Sequence, residues 1–313
     1  MDRLLRPADE GYPALLACIA SPPPLHVRGA LTADDALAIA IVGSRRATTY
    51  GLAAAERLGA DLAARGITIV SGLARGIDTA AHRGALAGGG RTLAVLGSGI
   101  DVIYPPENRA LAVEIETRGA LVSQFPRGTP PRPWNFPARN RTLAALALGV
   151  VVVEAAERSG ALITAGLAGD LGREVFAVPG RITDVASQGS LRLLQDGAKL
   201  VRDWTDVVQE LPEHWRRAVR APSMRSCAPS QPPDKTPEGR VLALLAADEP
   251  RQIDELIERG IADASQVSAA LVALEVAGWA RQLPGQRWVA ARQRAASRAP
   301  EATMAHWARG DEA

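Results

Sequence analysis

Lysine is nearly absent from this chain of 313 residues: Lys199 and Lys235 are its only two, and arginine makes up the rest of its 36 basic residues. Arginine carries a planar fork that matches phosphate and stacks on bases, so an anionic partner is permitted. A GC-rich genome drifts the same way, and a net charge of only +2 makes no such partner obligatory. Cysteine is as scarce. Cys18 and Cys227 stand far apart in unlike contexts, which argues against a disulfide framework, and no residue spacing suited to a metal ion occurs. The N-terminus shows no secretory pattern, holding only the short apolar run Ala14–Ala20, and no segment is long enough to span a bilayer. These absences point to the reducing cytoplasm, with no metal, no cofactor and no membrane partner. Aromatics supply only 4% of the residues, so two that fall together in one loop stand out.

What is present is apolar and periodic. Hydrophobic residues make up 47% of the chain, enough for a sizeable core and two domains. Residues 1–37 read as an extended lead-in broken by Tyr12-Pro13 and Ser21-Pro22-Pro23-Pro24. Within it Leu25–Gly29 could add a short strand or pack across the main domain, and His26 reads as surface or structural. Short apolar runs then recur at Ala38–Val42, Ile67–Val70, Thr92–Leu96, Leu121-Val122, Val150–Val153 and Val175–Val178, with Ala/Leu-rich helical stretches between most of them. Continuous apolar strands alternating with helices imply a parallel sheet covered on both faces. The expectation is a Rossmann-like, doubly wound, mostly parallel α/β domain over residues 38–211.

In such a sheet ligands bind beyond the carboxyl ends of the strands, so the residues after each strand carry the functional reading. They include Gly43-Ser44-Arg45-Arg46, Ser71-Gly72-Leu73-Ala74-Arg75-Gly76, Gly97-Ser98-Gly99, Gln124-Phe125-Pro126-Arg127, Glu154-Ala155 and Pro179-Gly180-Arg181. At Gly43 a strand, a tight turn and a helix start bring free N–H groups and the positive helix end to one spot. The alternative there is an ordinary βα turn with solvated arginines. Small residues would admit a ligand backbone and arginines would neutralise phosphate, although turns favour glycine in any case.

Residues 127–141 read as a loop held extended by Pro130, Pro131, Pro133 and Pro137, bearing Arg127, Arg132, Trp134, Phe136, Arg139 and Arg141. Arginines interleaved with rings suit an unpaired polynucleotide, each base stack being worth ~1–3 kcal/mol. The competing reading has Trp134 and Phe136 plugging the core. Ser159, Gly160 and Thr164 open a helix after the fifth strand and offer a second anion site. Glu154, at a strand end, reads as a general base or, more simply, as the partner of an arginine. Asp78 and His82, four residues apart, read as a structural pair fixing the Gly76 turn, since no nucleophile accompanies them.

Taken in order, Ile41-Val42-Gly43-Ser44-Arg45, Ser71 to Asp78 with His82, Tyr104-Pro105, Phe136-Pro137-Ala138-Arg139-Asn140-Arg141, Val153-Glu154-Ala155 with Ser159 to Thr164, and Val178-Pro179-Gly180 resemble the bacterial DNA-processing protein A family, also called DprA or Smf. The resemblance runs from roughly Tyr12 to Leu211. It implies a non-enzymatic protein that binds incoming single-stranded DNA during natural transformation, forms a homodimer and delivers the strand to the RecA recombinase. It also implies that Gly43, Ser44 and Arg45 contact DNA, with Arg75, Phe136, Arg139 and Arg141 as further contacts. Two departures matter. Many relatives carry a helical domain ahead of the sheet, where only about 37 residues stand here, and Gln124 occupies a position that is commonly acidic. The alternative from another class is a nucleoside-phosphate hydrolase that uses the same glycine-rich crevice with Glu154 as its catalytic group.

Residues 212–237 read as a Pro-rich linker. Beyond it, Glu238–Ala247, Gln252–Arg259 and Ser265–Ala277 read as short helices, and Trp279–Leu283 with Arg287–Val289 as a hairpin. That is the pattern of a small winged-helix domain over 238–292, a module found at the C-terminus of many members of the resembling family. Its eight acidic residues outnumber six basic ones, and Ser265–Ala270 carries no arginine. Little counterion release is available to such a surface, so the module is expected to bind protein or to regulate. Residues 293–313 are expected to form a disordered tail.

Overall fold

The computed structural model describes residues 2–220, 234, 236–259, 263–276 and 278–291. It divides into two compact units, Met1–Cys227 and Ala228–Ala313. In the first, the elements in chain order are β1 (Arg3–Leu5), α1 (Ala14–Ala17), β2 (Leu25–Gly29), β3 (Ala38–Val42), α2 (Thr49–Ala63), β4 (Thr68–Ser71), α3 (Ile77–Ala87), β5 (Thr92–Val95), α4 (Arg109–Arg118) and β6 (Ala120–Ser123). There follow α5 (Asn135–Ala145), β7 (Gly149–Val152), α6 (Gly160–Asp170), β8 (Glu174–Ala177), α7 (Gln188–Gln195), β9 (Lys199–Leu200), α8 (Trp204–Gln209) and α9 (Glu213–Ala218).

The nine strands form one sheet in the order β1-β2-β6-β5-β4-β3-β7-β8-β9. All neighbours from β6 to β9 are parallel, while β2 runs antiparallel to β6 and β1 to β2. Strands β3 to β7 are buried along their whole length, which explains runs that are apolar at every position rather than at alternate ones. The two faces nevertheless segregate with period two. Ala38, Ala40 and Val42 enter one core with Leu143, Ala165 and Leu16, and Ile39 and Ile41 enter another with Leu58, Leu62 and Ala81.

Strand β3 lies at the centre. The chain moves outward from it through β4, β5 and β6, then returns by α5 to place β7 on its other side. That reversal of strand order is the topological switch point, and it opens a crevice at the carboxyl ends of β3 and β7.

Two expectations about the ends of this unit are corrected. The lead-in is part of the sheet: Val27 pairs with Val122, and Arg3 with Val27. The candidate strand Leu25–Gly29 is observed as β2, with Leu25 and Val27 facing inward; β1, three residues long, is the part of the sheet that the sequence did not show. The linker does not begin at Pro212, because α9 follows it directly and Trp215 and Val219 pack on the apolar cluster beneath α2. The Arg220 N–H also donates to the Arg65 carbonyl at 2.9 Å. The rest of the expected linker, apart from Asp234 and from Thr236 onward, lies outside the described residues, as does the tail from Gln293.

In the second unit the elements are α10 (Pro237–Leu244), β10 (Arg251–Gln252), α11 (Ile253–Glu258), α12 (Ala264–Val276), β11 (Ala280–Leu283) and β12 (Arg287–Ala290). The strands form a small antiparallel sheet in the order β10-β12-β11. Val241, Leu256, Leu271, Trp279 and Trp288 fill a separate core. Three helices and a hairpin around one core make a winged helix.

Candidate nucleic-acid interface

The crevice is built by loops that fasten to one another. The Ser44 N–H donates to the Glu154 carbonyl at 2.7 Å, and the Ile77 N–H donates to the Ser44 carbonyl at 3.2 Å. The turns after β3, β4 and β7 therefore form one body. Gly76 has φ of 74°, and a Cβ there would stand 2.2 Å from the Ser44 carbonyl oxygen. At Gly43 a Cβ would meet Ile77 at 2.6 Å, at Gly72 the Arg139 guanidinium at 2.3 Å, and at Gly97 the Phe136 ring at 2.9 Å. These glycines let neighbouring parts of the protein approach closely, and Gly43 also lines the cavity described below. Gly160 differs: nothing lies within 4 Å of its absent side chain.

Glu154 is buried, and its carboxylate accepts the Thr48 N–H at 2.9 Å and the Thr48 hydroxyl. Thr48 caps α2, accepting the Gly51 N–H at 3.1 Å. Glu154 thus braces a helix N-terminus, where a carboxylate is favoured by the free N–H groups and the dipole. No arginine pairs with it among the described residues, contrary to expectation.

Residues 127–141 are not one extended loop. Helix α5 starts at Asn135, so Phe136, Arg139 and Arg141 stand on a helix. Pro137 is its third residue, inside the first turn where no intrahelical N–H bond is lost. The Asn135 amide fastens that start by donating to the Gly97 and Pro130 carbonyls, each at 3.1 Å. Arg139 is buried. Its guanidinium donates to the Gly72 carbonyl at 2.7 Å and to the Val95 carbonyl, tying α5 to the ends of β4 and β5. Burial lowers the Arg139 pKa to about 10, against the pull of Asp78, so it stays charged at neutral pH. Burial raises the carboxyl of Asp78, opposed by the nearby Arg139 and by the Ala74 N–H, which donates to it at 3.3 Å.

Asp78 fixes the Gly76 turn together with Thr79, whose hydroxyl donates to the Ala74 carbonyl at 2.7 Å. His82, expected as its companion, instead bonds Thr92 at 2.7 Å beneath the sheet.

Above this floor lies a cavity of about 430 Å³, whose walls include Arg45, Tyr104, Phe136, Asn140, Gly160 and Thr164. The Arg45 guanidinium sits 4.9 Å from the Phe136 ring centre, and that of Arg139 lies 5.9 Å away. Phe136 is half-buried between them, while Tyr104 stands 6.2 Å off, ring to ring. Trp134 is 66% exposed, with Arg132 at 5.4 Å from its ring. It does not plug the core.

The remaining expected residues divide. Ser159 caps α6 by accepting the Ala161 N–H at 3.2 Å, and Thr164 is buried with its hydroxyl on the Gly160 carbonyl at 3.3 Å. The Ser44 hydroxyl accepts the Arg46 N–H at 3.1 Å. Arg45, Arg46 and Arg141 are exposed, and no ion pair among the described residues involves them. Arg75 is held by Glu107, and Arg127 by Asp2 with Asp101 at 3.9 Å; each pairing raises the arginine's pKa. Arg127 lies outside the cavity wall. Tyr104 and Asn140 are wall residues that composition and spacing did not single out. Tyr104 is one of only three tyrosines and follows β5 at the carboxyl rim, which was the available signal.

The family model described as DNA recombination-mediator protein A matches residues 3–212, and that of the DprA winged helix domain matches residues 225–286. The chain belongs to the DNA recombination-mediator protein A family. Among its relatives, Protein Smf of Escherichia coli is 42% identical over 286 residues, 90% of this chain and 76% of the relative. The X-ray structure of DNA processing protein A (DprA) from Streptococcus pneumoniae is 43% identical with a TM-score of 0.65, covering 67% of this chain and 74% of that one. DNA processing protein A from Helicobacter pylori, whose structure is described through its single-stranded DNA binding mode, is 30% identical with a TM-score of 0.60, covering 66% and 94% of the two chains. Both DprA structures share the Rossmann-like sheet.

Proposed function

We propose that this protein binds single-stranded DNA at the carboxyl rim of its sheet, shields the strand, and passes it to the RecA recombinase during natural transformation. A homodimer would double the rim and raise avidity. The observation that carries the reading is Arg45. It is an unpaired guanidinium at the switch point, set over the Phe136 ring at 4.9 Å beside an open cavity. Asp78 and Arg139 beneath it balance each other, which leaves Arg45 as the free charge for a phosphate. The H. pylori relative's single-strand binding supports the same choice of ligand.

Binding without catalysis is favoured by Glu154, whose carboxylate is occupied by Thr48. A hydrolase would need that carboxylate free to reach water. Neither RecA delivery nor dimer formation rests on a surface described above; both come from family membership. Oligonucleotide binding by Arg45→Ala and wild type, at two salt concentrations, tests the proposal. Wild type should prefer single strands to duplex. The variant should bind roughly tenfold more weakly, with a log–log salt slope shallower by ~0.7, the loss of one single-strand phosphate contact. Equal affinity in the two proteins overturns it, as does nucleotide turnover abolished by Glu154→Gln.

A further inference from the structure

The carboxyl rim is not uniform in charge. On the β4 to β6 half, Arg75 and Arg127 are neutralised by Glu107 and by Asp2 and Asp101, and Arg132 is the exposed arginine there that no ion pair holds among the described residues. On the other half, the loops after β3, β7 and β8 carry Arg45, Arg46, Arg158 and Arg181. All four are exposed, and none belongs to an ion pair among the described residues. These three strands are consecutive neighbours in the sheet. Adjacent strands lie about 4.8 Å apart, so their loops form a staircase of free guanidiniums leading away from the cavity.

The loops that carry these arginines are fastened. The Gly189 N–H donates to the Ala155 carbonyl at 2.7 Å, and the Ser159 N–H to the Ala156 carbonyl at 3.0 Å, which sets the loop bearing Arg158. The Tyr50 hydroxyl donates to the Pro179 carbonyl and the Gln188 amide to the Ile182 carbonyl, each at 2.7 Å, which sets the loop bearing Arg181. Glu157 and Asp184 are the remaining acids of these loops, and neither forms an ion pair among the described residues. Ile182, next to Arg181, is 82% exposed and offers an apolar surface to a base. Gly160, the open point of the cavity wall, follows Arg158 by two positions.

We propose that the bound strand leaves the cavity across the loops after β7 and β8, with Arg158 and Arg181 as its phosphate contacts. This rests on the single-strand reading above. A preorganised track loses little entropy on binding, and an unpaired strand can follow it because its backbone bends freely.

The test compares wild type, Arg158→Ala with Arg181→Ala, and the charge-neutral swap of an exposed pair at the end of α7, Arg192→Gln with Asp196→Asn. Each is titrated with thymidine oligonucleotides of about six and about twenty nucleotides at several salt concentrations. The first variant should match wild type on the short oligonucleotide. On the long one it should bind roughly tenfold more weakly, with a salt slope shallower by ~1.4, two contacts at ~0.7 each. The swap should stay within about twofold of wild type on both. Equal thermal midpoints establish that the exposed substitutions leave the fold intact. Wild-type behaviour of Arg158→Ala with Arg181→Ala on the long oligonucleotide overturns the exit path, and so does an equal loss on both lengths. If wild type binds neither oligonucleotide, the single-strand reading itself fails, a separate outcome.

Discussion

At the scale of single residues, the site depends on close approach. The Gly72 position faces the Arg139 guanidinium, which is buried and held by two carbonyls. A methyl group there must push a fixed charge off its acceptors, a change of the overpacking kind that costs about 1–3 kcal/mol. Gly72→Ala should therefore lower the thermal midpoint by several degrees, and weaken single-strand binding because Phe136 rides on the same helix. Gly160→Ala makes the opposite case. With nothing within 4 Å, the substitution meets no neighbour and replaces the poorest helix former but proline. Its midpoint should stay level or rise by the equivalent of up to ~1 kcal/mol. Any loss of DNA affinity in that variant then measures crowding in the cavity alone. Calorimetry on the two variants, followed by oligonucleotide titration, separates a glycine that packs from one that leaves room.

At the scale of elements, the β3–β8 strands could be read from the chain because doubly buried strands are apolar at every position and glycine marks their ends. Helix α5 could not. Four prolines and alternating arginines resemble an extended track, and only the tolerance of Pro137 in a first helical turn reconciles them with a helix. The same limit applied to Glu154 and His82, whose partners lie far away in sequence: Thr48 is 106 residues distant from Glu154, and no local spacing foretells it. His82 gives the element-scale prediction. Thr92 donates its hydroxyl to the Ile69 carbonyl at 2.8 Å, so it accepts from Nδ1–H of His82 and fixes that tautomer. Nε2 is buried without a partner, and burial lowers the imidazole pKa to about 3 from 6.5. The unfolded chain thus binds a proton that the folded one refuses. Stability from this group is complete above about pH 6.5 and is lost as pH falls toward 3, by about 1.4 kcal/mol per pH unit. Urea unfolding at pH 7 and pH 5 should show wild type losing roughly 2 kcal/mol more than His82→Gln. Asp78 has its own opposite dependence, but it is present in both proteins and cancels from the difference.

At the scale of the whole molecule, the two units have separate cores. The residues that bury one another in the winged helix are all drawn from Val241 to Ala290, and the cores about the large sheet draw none of theirs from that range. A chain ending at Arg220 keeps every contact that positions Arg45, Phe136 and Arg139, including the packing of α9. Helix α12 of the winged helix offers no positive charge to a phosphate backbone. The exposed positions of α12 among the described residues are Ala264, Ser265, Gln266, Ser268, Ala269, Val272, Ala273 and Glu275, with no cation among them. Affinity for nucleic acid falls linearly with the logarithm of salt in proportion to the phosphates neutralised. Removing a module that neutralises none should leave both affinity and slope in place. The 1–220 chain should accordingly bind a thymidine oligonucleotide within about twofold of the full chain and with the same salt slope. A shallower slope in the truncated chain would instead assign phosphate contacts to Arg281 or Arg287, the exposed cations of the wing, and would take the winged helix out of the class of protein-binding or regulatory modules.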